Sequence, residues 1–460
     1  MDETNAKFTI FLCMKKIRSI RLVLLLLLVT IRSVSAQTRD SELIGYFHNW
    51  QDGNAPYIEL DKVDSNYTII DVAFALPKSG TDYNLRFVPD RTSKPEFISQ
   101  IKRLQSAGKK ILISIGGATA PISLSNKVER DTFVVSMNRI IDDYGFDGMD
   151  IDIEGTSLSV TGGSIAKPED GEIIHLISAI QMIMKDYHKK HGRRLILTMS
   201  PETAFVQGGQ SSYGGIWGAY LPVVHALRDS IEILHTQLYN SGTMYGVDGK
   251  IYSQGSADFI IAMTEAVIHG FNTSGGYFEG LSANQVAVGL PACSKGASGG
   301  YTKPETVRSA INYILGKGPK PGNYELAKSG GYPELRGMMT WSINWDALST
   351  CGTRYEYASL YKDVFGQTPA SYNNAHMPQS NSIFPNPTSE ILNIRLSLFN
   401  QEPQRIEIRD LQGLLIDTYS DFDSSTIAEL DVSELSAGIY VLIIHKDHLD
   451  IQKRFVKVSH

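Results

Sequence analysis

The sequence has very few cysteine residues and no grouping of residues that commonly binds a metal. Only Cys13, Cys293 and Cys351 occur among its 460 residues. A disulfide-dense scaffold needs more cysteines than this. No Cys-x-x-Cys pair or Cys/His cluster is present, so a zinc site is not expected. We therefore predict neither a metal nor a cofactor.

The sequence also lacks a strong excess of charge of either sign. It contains 49 acidic and 43 basic residues, with a formal net charge of −6. No basic stripe indicates nucleic-acid binding, and no long acidic run indicates a solvating tail. A neutral or weakly charged partner is therefore expected, and nothing in the composition predicts an oligomer, so we expect a monomer.

Long hydrophobic runs are absent except near the N-terminus. There, the basic segment KKIRSIR precedes the apolar run LVLLLLLVTI, and the small residues SVSA precede Gln37. This order is typical of an export signal, which predicts a cleaved signal peptide at residues 1–36. A membrane anchor is the alternative, but the run is shorter than the roughly 20 apolar residues that span a bilayer. We expect an exported protein with no permanent membrane span.

Between residues 42 and 366, short strand-like runs alternate with helical patterns. Most segments between the strands have apolar residues spaced near 3.6, the helical period. This alternation predicts an α/β fold, a (β/α)8 TIM barrel over residues 37–366. A doubly wound sheet is the alternative, but the first strand ends in HNWQDG rather than in a Gly-x-Gly-x-x-Gly turn. The eight strand candidates are ELIGYFHNW, YTIIDVAFA, KKILISIGG, GFDGMDIDIE, RLILTMSPE, IEILHTQLY, QVAVGLPA and GMMTWSIN.

A second, smaller domain is predicted at the C-terminus. Residues 367–382 lack apolar periodicity and are rich in Asn, Ser, Gln and Pro, as in a linker. After it, short alternating runs such as ILNIRLSL, RIEIRDL and GIYVLIIH follow at close spacing without a helical pattern. These runs predict a small all-β sandwich over residues 383–460.

The segment YGFDGMDIDIEG, residues 144–155, places acidic residues inside a strand that should be buried. Because side chains alternate along a strand, Asp150, Asp152 and Glu154 lie on one face, toward the barrel axis. Glu154 comes at the carboxyl end of the strand, where barrel active sites form. Clustered buried carboxyl groups share protons, so one acid can stay protonated for general-acid catalysis. A solvated acidic patch and a calcium site are the alternatives; the apolar neighbours disfavour the first, and calcium prefers flexible loops.

The pattern D-G-x-D-x-D-x-E resembles the signature of family 18 glycoside hydrolases, the chitinase family. Four further segments resemble motifs of the same family: SIGG at 114–117, MSPE at 199–202, QLYN at 237–240 and MTWSINWD at 339–346. The resemblance covers the whole predicted barrel. It implies hydrolysis of β-1,4-N-acetylglucosamine linkages with retention, in which the N-acetyl group of the substrate is the nucleophile.

The resemblance also implies roles for individual residues. Glu154 would protonate the glycosidic oxygen, and Asp152 would orient the acetamide and offset the charge of an oxazolinium ion. Asp150 would share a proton with Asp152. Tyr239 would donate a hydrogen bond to the acetamide, and Trp341 would form a hydrophobic floor under the sugar.

Other residues are weaker candidates, for which packing is the alternative. A structural role is expected for His48 and His235, and Asp346 is expected to cap a turn. Trp217 and Tyr245 lie in loops where aromatic side chains could stack on sugars. Substrate contact is predicted for five residues: Tyr46, Trp50, Met199, Gln237 and Asn240.

Residues 292–336 contain one helical pattern and leave little room for an additional α+β insertion. This predicts a shallow, open groove and internal cleavage of chitin. An endo-β-N-acetylglucosaminidase acting on N-glycan cores is the enzyme alternative, and an inactive chitin-binding lectin is disfavoured because Glu154 is present. Cys293 and Cys351 follow neighbouring strands, but sequence alone does not decide whether they form a disulfide.

The C-terminal segment resembles the type A sorting domain of type IX secretion, on the basis of IFPNPTSEILNIRL and LSAGIYVLIIH. The resemblance implies recognition by secretion machinery and a location outside the cell or on its surface. A carbohydrate-binding sandwich is the alternative. It is disfavoured because the module contains no tryptophan, and aromatic residues usually form such surfaces.

Overall fold

The computed structural model describes residues 41–51, 53–366, 383–395, 405–410, 414–420, 427–446 and 449–458. The predicted signal peptide at 1–36 and the predicted linker at 367–382 lie outside the described residues. The chain divides into two compact units, Met1–Gln367 and Thr368–His460.

The first unit is built on eight parallel strands that pair in the order β12-β13-β1-β2-β4-β5-β6-β7. Parallel bridges from Leu234 to Val286 and from Gln237 to Gly289 connect the two ends of this sheet. The sheet is therefore a nearly closed barrel, which confirms the predicted fold over the doubly wound alternative. The strands of this unit are β1 Glu42–His48, β2 Ile69–Pro77, β3 Leu85–Arg86, β4 Lys110–Gly116, β5 Gly148–Asp152, β6 Ile196–Met199, β7 Ile233–Leu234, β8 Thr243–Tyr245, β9 Ile251–Ser253, β10 Phe271–Thr273, β11 Gly276–Phe278, β12 Ala287–Pro291 and β13 Gly337–Trp341.

Helices follow most of the barrel strands and pack around them. Their apolar faces join the outward-facing strand residues in one large buried cluster, which is the expected arrangement for a barrel of this kind. None of the helices in the described part of the chain is long and apolar enough to cross a membrane. The helices are α1 Lys94–Ser106, α2 Lys127–Tyr144, α3 Gly171–His191, α4 Leu221–Leu227, α5 Ala257–His269, α6 Pro304–Ile314, α7 Ile343–Asp346 and α8 Glu356–Phe365.

The turn before β5 fixes where the acidic strand begins. Helix α2 ends at Tyr144 and is capped by Gly145, whose φ of 74° is in the left-handed region that glycine adopts without strain. Two residues later, the carboxylate of Asp147 accepts hydrogen bonds from Ile111 N at 3.1 Å and Gln105 Nε2 at 3.0 Å. Asp147 therefore ties the start of β5 to the start of β4 and does not face the barrel interior with the other acids.

The interior of the barrel has an apolar lower layer and a polar upper layer. Side chains near the amino ends of the strands form a small separate cluster that includes Ile44, Leu112, Ile233 and Met339. The inward-facing acids of β5 come above these residues along the strand direction. Asp150 and Asp152 are buried, and only Glu154, at the carboxyl end, is partly exposed to solvent.

The segment between β12 and β13 contains one helix, α6, and no strand. All residues of this segment are described, so the predicted absence of an additional α+β insertion is confirmed. The openness of the groove and internal cleavage remain predictions.

The second unit contains only antiparallel strands, in a three-stranded sheet β14-β15-β18 and a four-stranded sheet β17-β16-β19-β20. Leu392 and Ile394 of one sheet belong to the same buried cluster as Ile406 and Leu442 of the other. Two sheets that share a core form a sandwich, as predicted. The strands are β14 Ile383–Phe384, β15 Ile391–Arg395, β16 Arg405–Arg409, β17 Leu415–Tyr419, β18 Ile427–Asp431, β19 Gly438–Lys446 and β20 Leu449–Lys457.

Cys293 and Cys351 form a disulfide, with their Cα atoms 5.2 Å apart. The bond joins the segment after β12 to the segment after α7, at the carboxyl end of the barrel. The sequence alone did not decide whether these two cysteines are bonded, and the structure shows that they are.

Replacing both cysteines with serine is expected to lower the free energy of unfolding by about 4 kcal/mol. The two residues are 58 positions apart, and a cross-link across a loop of this size restricts the unfolded chain by that amount in the chain-entropy account. Denaturant titration with and without reductant measures it. Reductant should weaken the wild type and leave the double variant unchanged; equal stability of the oxidised wild type and the variant would contradict the prediction.

Candidate active site

Strand β5 places three acids in a column that rises toward the carboxyl end of the barrel. Asp150 and Asp152 are buried, and Glu154, just beyond the strand, is partly exposed. The amide of Gln237 donates from Nε2 to Asp152 Oδ1 and to Glu154 Oε1, both at 2.8 Å. One amide group thus holds the upper two carboxyl groups next to each other.

Asp152 and Glu154 are held in conditions that favour a shared proton. Burial raises the pKa of Glu154; the hydrogen bonds from Gln237 and Asp152 oppose this, and the charge of Glu202 adds to it. Burial also raises the pKa of Asp152 well above its usual value, assisted by the charges of Glu154 and Asp150 and a hydrogen bond with Glu154. Two coupled carboxyl groups titrate as a pair, so one proton remains available near the mouth of the barrel.

Asp150 is held by hydroxyl groups from three neighbouring strands. Tyr46 Oη and Ser114 Oγ donate to its Oδ2 at 2.6 Å and 2.7 Å, and Thr198 Oγ1 donates to its Oδ1 at 2.8 Å. Glu154 forms a hydrogen bond with Asp152, and the charge of Asp150 raises the pKa of Asp152. Proton sharing between Asp150 and Asp152 remains a prediction.

Tyr239 lies beside the upper carboxyl groups, two residues after Gln237. Burial raises its pKa well above the usual value, as do the charges of Asp152 and Glu154, so its hydroxyl group remains a hydrogen-bond donor. None of the described residues accepts a hydrogen bond from this hydroxyl group. Gly300, at φ 90°, packs so closely that a Cβ atom there would lie 2.6 Å from Tyr239 Cα. Any larger residue at 300 would displace Tyr239.

Trp341 ends β13 and is a partly exposed member of a group of aromatic rings. Its ring stacks on Phe74 with centroids 6.0 Å apart and an interplanar angle of 15°. Tyr46 and His48 pack against it with centroids at 5.4 Å and 4.8 Å. Rings packed in this way hold one another in place, so Trp341 presents a fixed apolar surface near the acids.

Residues 42–362 match the family model described as glycosyl hydrolases family 18. The chain belongs to this family. It is 44% identical over 325 residues to chitinase Chi52 of Paenibacillus xylanexedens, covering 70% of this chain and 60% of that protein. It is 42% identical over 356 residues to chitinase D of Niallia circulans, covering 76% and 63%. The chain thus spans about three fifths of the length of these curated relatives.

A solved family 18 chitinase from Chromobacterium violaceum has the same fold. It superposes with a TM-score of 0.63 at 33% identity and covers 71% of this chain and 84% of its own. Residues 382–458 match a second family, described as a secretion system C-terminal sorting domain. This match confirms the predicted sorting domain and, with it, export to the cell surface or the medium.

Some of the residues that the sequence predicted to contact substrate lie at the family 18 site, and others do not. Gln237 is at its centre. Trp50 is partly buried and stacks on His48, with centroids 4.5 Å apart and planes 6° apart, so it extends the aromatic group around Trp341. Asn240 is exposed, and its Oδ1 accepts a hydrogen bond from Gly299 N at 3.1 Å. Its contact with a sugar remains a prediction.

Two of the predicted substrate-contacting residues have other positions. Met199 is fully buried in the outward-facing cluster between strands and helices, because Thr198, the residue before it, points inward to Asp150. Tyr46 is also buried, and its hydroxyl group is bound to Asp150 beneath the site. Neither side chain has an exposed surface for a sugar, so the structure does not support these two predictions.

The expected capping role of Asp346 is confirmed, whereas the structural role of His48 and His235 remains a prediction. Asp346 accepts hydrogen bonds from Tyr357 N at 2.8 Å and Ala358 N at 3.1 Å, and thereby caps the first turn of α8. His48 and His235 are buried. Trp217 and Tyr245 are partly exposed in their loops, and sugar stacking there remains a prediction.

Sequence reasoning missed three functional residues that lie within or next to the motifs it used. Ser114 begins SIGG and Glu202 ends MSPE, but neither was assigned a role; Thr198 directly precedes MSPE. Glu202 Oε2 accepts a hydrogen bond from Gly155 N at 2.9 Å, directly after Glu154. The motifs therefore indicated the part of the chain in which these residues lie. Only the strand register shows which side chains within or beside the motifs face the acids.

Replacing Glu202 with Gln is expected to move the alkaline limb of the kcat profile to lower pH. Glu154 acts as an acid only while protonated, so activity falls as the pH rises through its pKa. The charge of Glu202 raises that pKa, and the amide removes the charge while its oxygen can still accept from Gly155. The pH dependence of kcat on a soluble chitin oligosaccharide measures this. An alkaline limb that stays in place, or moves upward, would contradict it.

One group of described residues could hold a metal ion: Asp71, Asp150 and His235 offer ligand atoms within 4.8 Å of one another. The three side chains are fully buried. They lie below the acid pair, and no step of family 18 chemistry with a substrate nucleophile requires them to carry a metal.

Proposed function

We propose that this protein is a secreted endo-chitinase that hydrolyses β-1,4-N-acetylglucosamine linkages with retention of configuration. The single observation that supports it best is the Gln237 amide between Asp152 and Glu154, which holds a proton-sharing carboxyl pair beside Trp341 and Tyr239. The pair combines a proton donor with a group that can carry negative charge, at one site. Chitinases among the relatives support the choice of substrate class.

In the proposed reaction, Glu154 donates its proton to the glycosidic oxygen as the bond to the anomeric carbon breaks. The carbonyl oxygen of the substrate's acetamide forms a new bond to that carbon and gives an oxazolinium ion. Asp152 accepts a hydrogen bond from the acetamide nitrogen and offsets its positive charge. Water then adds to the anomeric carbon and gives a proton to Glu154, which restores the acid and the original configuration.

The residues around Asp152 and Glu154 can assist both the formation and the hydrolysis of the oxazolinium ion. Tyr239 donates a hydrogen bond to the acetamide, and the interaction strengthens as charge develops. Trp341 supports the apolar face of the sugar. The charge of Asp150 raises the pKa of Asp152 and so favours a proton on the Asp152–Glu154 pair until the substrate takes it.

Activity on three substrates tests the proposal and its alternatives. We expect cleavage of chitin oligosaccharides and colloidal chitin, with products of mixed length and β configuration by proton NMR at early times. Release of glycan from a high-mannose glycoprotein without chitin cleavage would instead identify an endo-β-N-acetylglucosaminidase. Binding without cleavage would identify a lectin. Products dominated by dimers from one chain end would contradict internal cleavage.

We further propose a signal peptide at 1–36, a catalytic domain at 37–366, a linker at 367–382 and a sorting domain at 383–460 that secretion machinery recognises. The sorting-domain match supports the last of these. Fractionation of cells that express the chain truncated after residue 382 tests the role of the module. Retention of the truncated chain inside the cell envelope is expected, and normal secretion would refute the role.

A further inference from the structure

The segment between β12 and α6 begins with a loop that connects two residues of the site. We call residues 292–300 the Cys293 loop. At its start, Ala292 N donates a hydrogen bond to Trp341 O at 3.0 Å. Further along, a Cβ atom on Gly296 would lie 3.4 Å from Trp341 O and 3.2 Å from Trp345 Cδ1. The first half of the loop therefore packs on the end of β13 and on α7.

The end of the Cys293 loop packs on the segment that carries Tyr239. Asn240 N donates a hydrogen bond to Gly299 O, and Gly299 N donates one to Asn240 Oδ1, both at 3.1 Å. Next to this pair, Gly300 lies against Tyr239 itself, because a Cβ atom there would be 2.6 Å from Tyr239 Cα and 2.9 Å from Tyr239 Cβ. The loop thus runs from Trp341 to Tyr239 and contacts both.

The disulfide fixes the Cys293 loop at the end near Trp341. Cys293 is the second residue of the loop and is buried, and it is bonded to Cys351, which follows α7. The loop contains no helix or strand, and three of its nine residues are glycine. Such a backbone has many accessible conformations unless other contacts restrict it. The cross-link is therefore the covalent restraint on the position of this loop.

Trp341 and Tyr239 depend on the loop to different extents. Trp341 also packs against three other rings of the barrel, which hold it independently of the loop. The hydroxyl group of Tyr239 has no hydrogen-bond acceptor among the described residues, so packing determines where it points. A movement of the loop should therefore shift Tyr239 and leave Trp341 in place.

We propose that Cys293 and Cys351 are positioning residues for catalysis: their disulfide anchors the Cys293 loop, and the loop holds Tyr239 where its hydroxyl group donates to the substrate acetamide. The effect on the reaction rests on the proposed function. This hydrogen bond strengthens as charge develops on the acetamide, so a displaced hydroxyl group lowers kcat more than it weakens substrate binding. Misplacement by about 1 Å can cost about 10²-fold in rate, and a partial displacement about tenfold.

Amide hydrogen exchange of the full chain, followed by mass spectrometry, tests the anchoring without substrate. A phosphine reductant supplies the two electrons that split the S–S bond into two thiols, and the protein mass after alkylation in denaturant confirms the reduction. We expect faster exchange on reduction in peptides that contain Asn240 and Gly299. Peptides from α1, which packs on β4, should not change. Unchanged exchange at Asn240 and Gly299, or equal acceleration in α1, would overturn the proposal.

The double variant Cys293→Ser/Cys351→Ser tests the effect on the reaction. At a temperature well below unfolding, kcat on a soluble chitin oligosaccharide should fall about tenfold, whereas KM should change by less than about threefold. Reductant should have no further effect on this variant. The reduced wild type should show the same values, so the measurement stands even if the variant does not fold. An unchanged kcat would mean that the cross-link contributes only to stability, and a rise in KM alone would mean that the loop acts on binding; either result overturns the proposal.

Tyr239→Phe shows whether the loop acts through the hydroxyl group of Tyr239. This variant keeps the ring and lacks the hydroxyl group, so removal of the disulfide from it should lower kcat by less than about twofold further. A full tenfold loss in this background would mean that the loop acts through another residue, which overturns the proposal. If no form of the chain cleaves chitin, the proposed function fails, and the exchange measurement still decides whether the disulfide anchors the loop.

Discussion

Replacing Glu154 with Gln is expected to lower kcat on chitin oligosaccharides by about 10²–10⁴-fold and to leave binding nearly unchanged. General-acid assistance contributes roughly 10²–10⁴-fold, and the sugar cannot supply this proton itself. The amide has the same shape as the acid and can still accept the hydrogen bond from Gln237. Steady-state kinetics and calorimetric titration with the same oligosaccharide separate the loss of rate from the loss of affinity.

A substrate with an aryl leaving group provides a second measurement for this variant. A stable aryloxide needs little protonation as it departs, so Glu154→Gln should recover much of its rate on that substrate. Glu334→Gln is a matched control, because Glu334 is exposed and far less constrained, and its kcat should equal that of the wild type. Turnover of Glu154→Gln near the wild-type rate on unactivated chitin would remove Glu154 from its assigned role.

The second large effect is expected from Asp152→Asn, which should lower kcat by about 10²-fold. The asparagine can still accept a hydrogen bond from Gln237, but it cannot carry the negative charge that offsets the oxazolinium ion. It also cannot share a proton with Glu154.

The aryl substrate distinguishes the two acids. Asp152 assists the acetamide nucleophile and not the leaving group, so an aryl leaving group should not rescue Asp152→Asn. Asp143→Asn serves as the control, because Asp143 forms an exposed ion pair with Lys94, and such pairs contribute little to stability. If the aryl substrate restored Asp152→Asn as fully as Glu154→Gln, the separation of their roles would be wrong.

The acidic strand could be predicted from sequence because both its register and its position along the barrel follow from local rules. Alternation places Asp150, Asp152 and Glu154 on one face, and Gly145 marks where the preceding helix ends. The barrel follows in the same way from eight strands separated mainly by helices.

The partners of these acids could not be predicted, because they depend on how other strands are aligned. Thr198 and Met199 are adjacent, and a change of one residue in register would exchange which of them faces the barrel axis. The motif alone favoured Met199, and the structure places Thr198 inside. Similarly, nothing in the sequence near Asp71 indicates that it meets His235, which is 164 positions away along the chain.

The disulfide between Cys293 and Cys351 gives the protein two levels of stability, a lower one before the bond forms and a higher one afterwards. Thiols stay reduced in the cytoplasm and become oxidised after export. Before export, the chain therefore lacks the stabilisation that the cross-link provides. It reaches its full resistance to unfolding only in an oxidising environment.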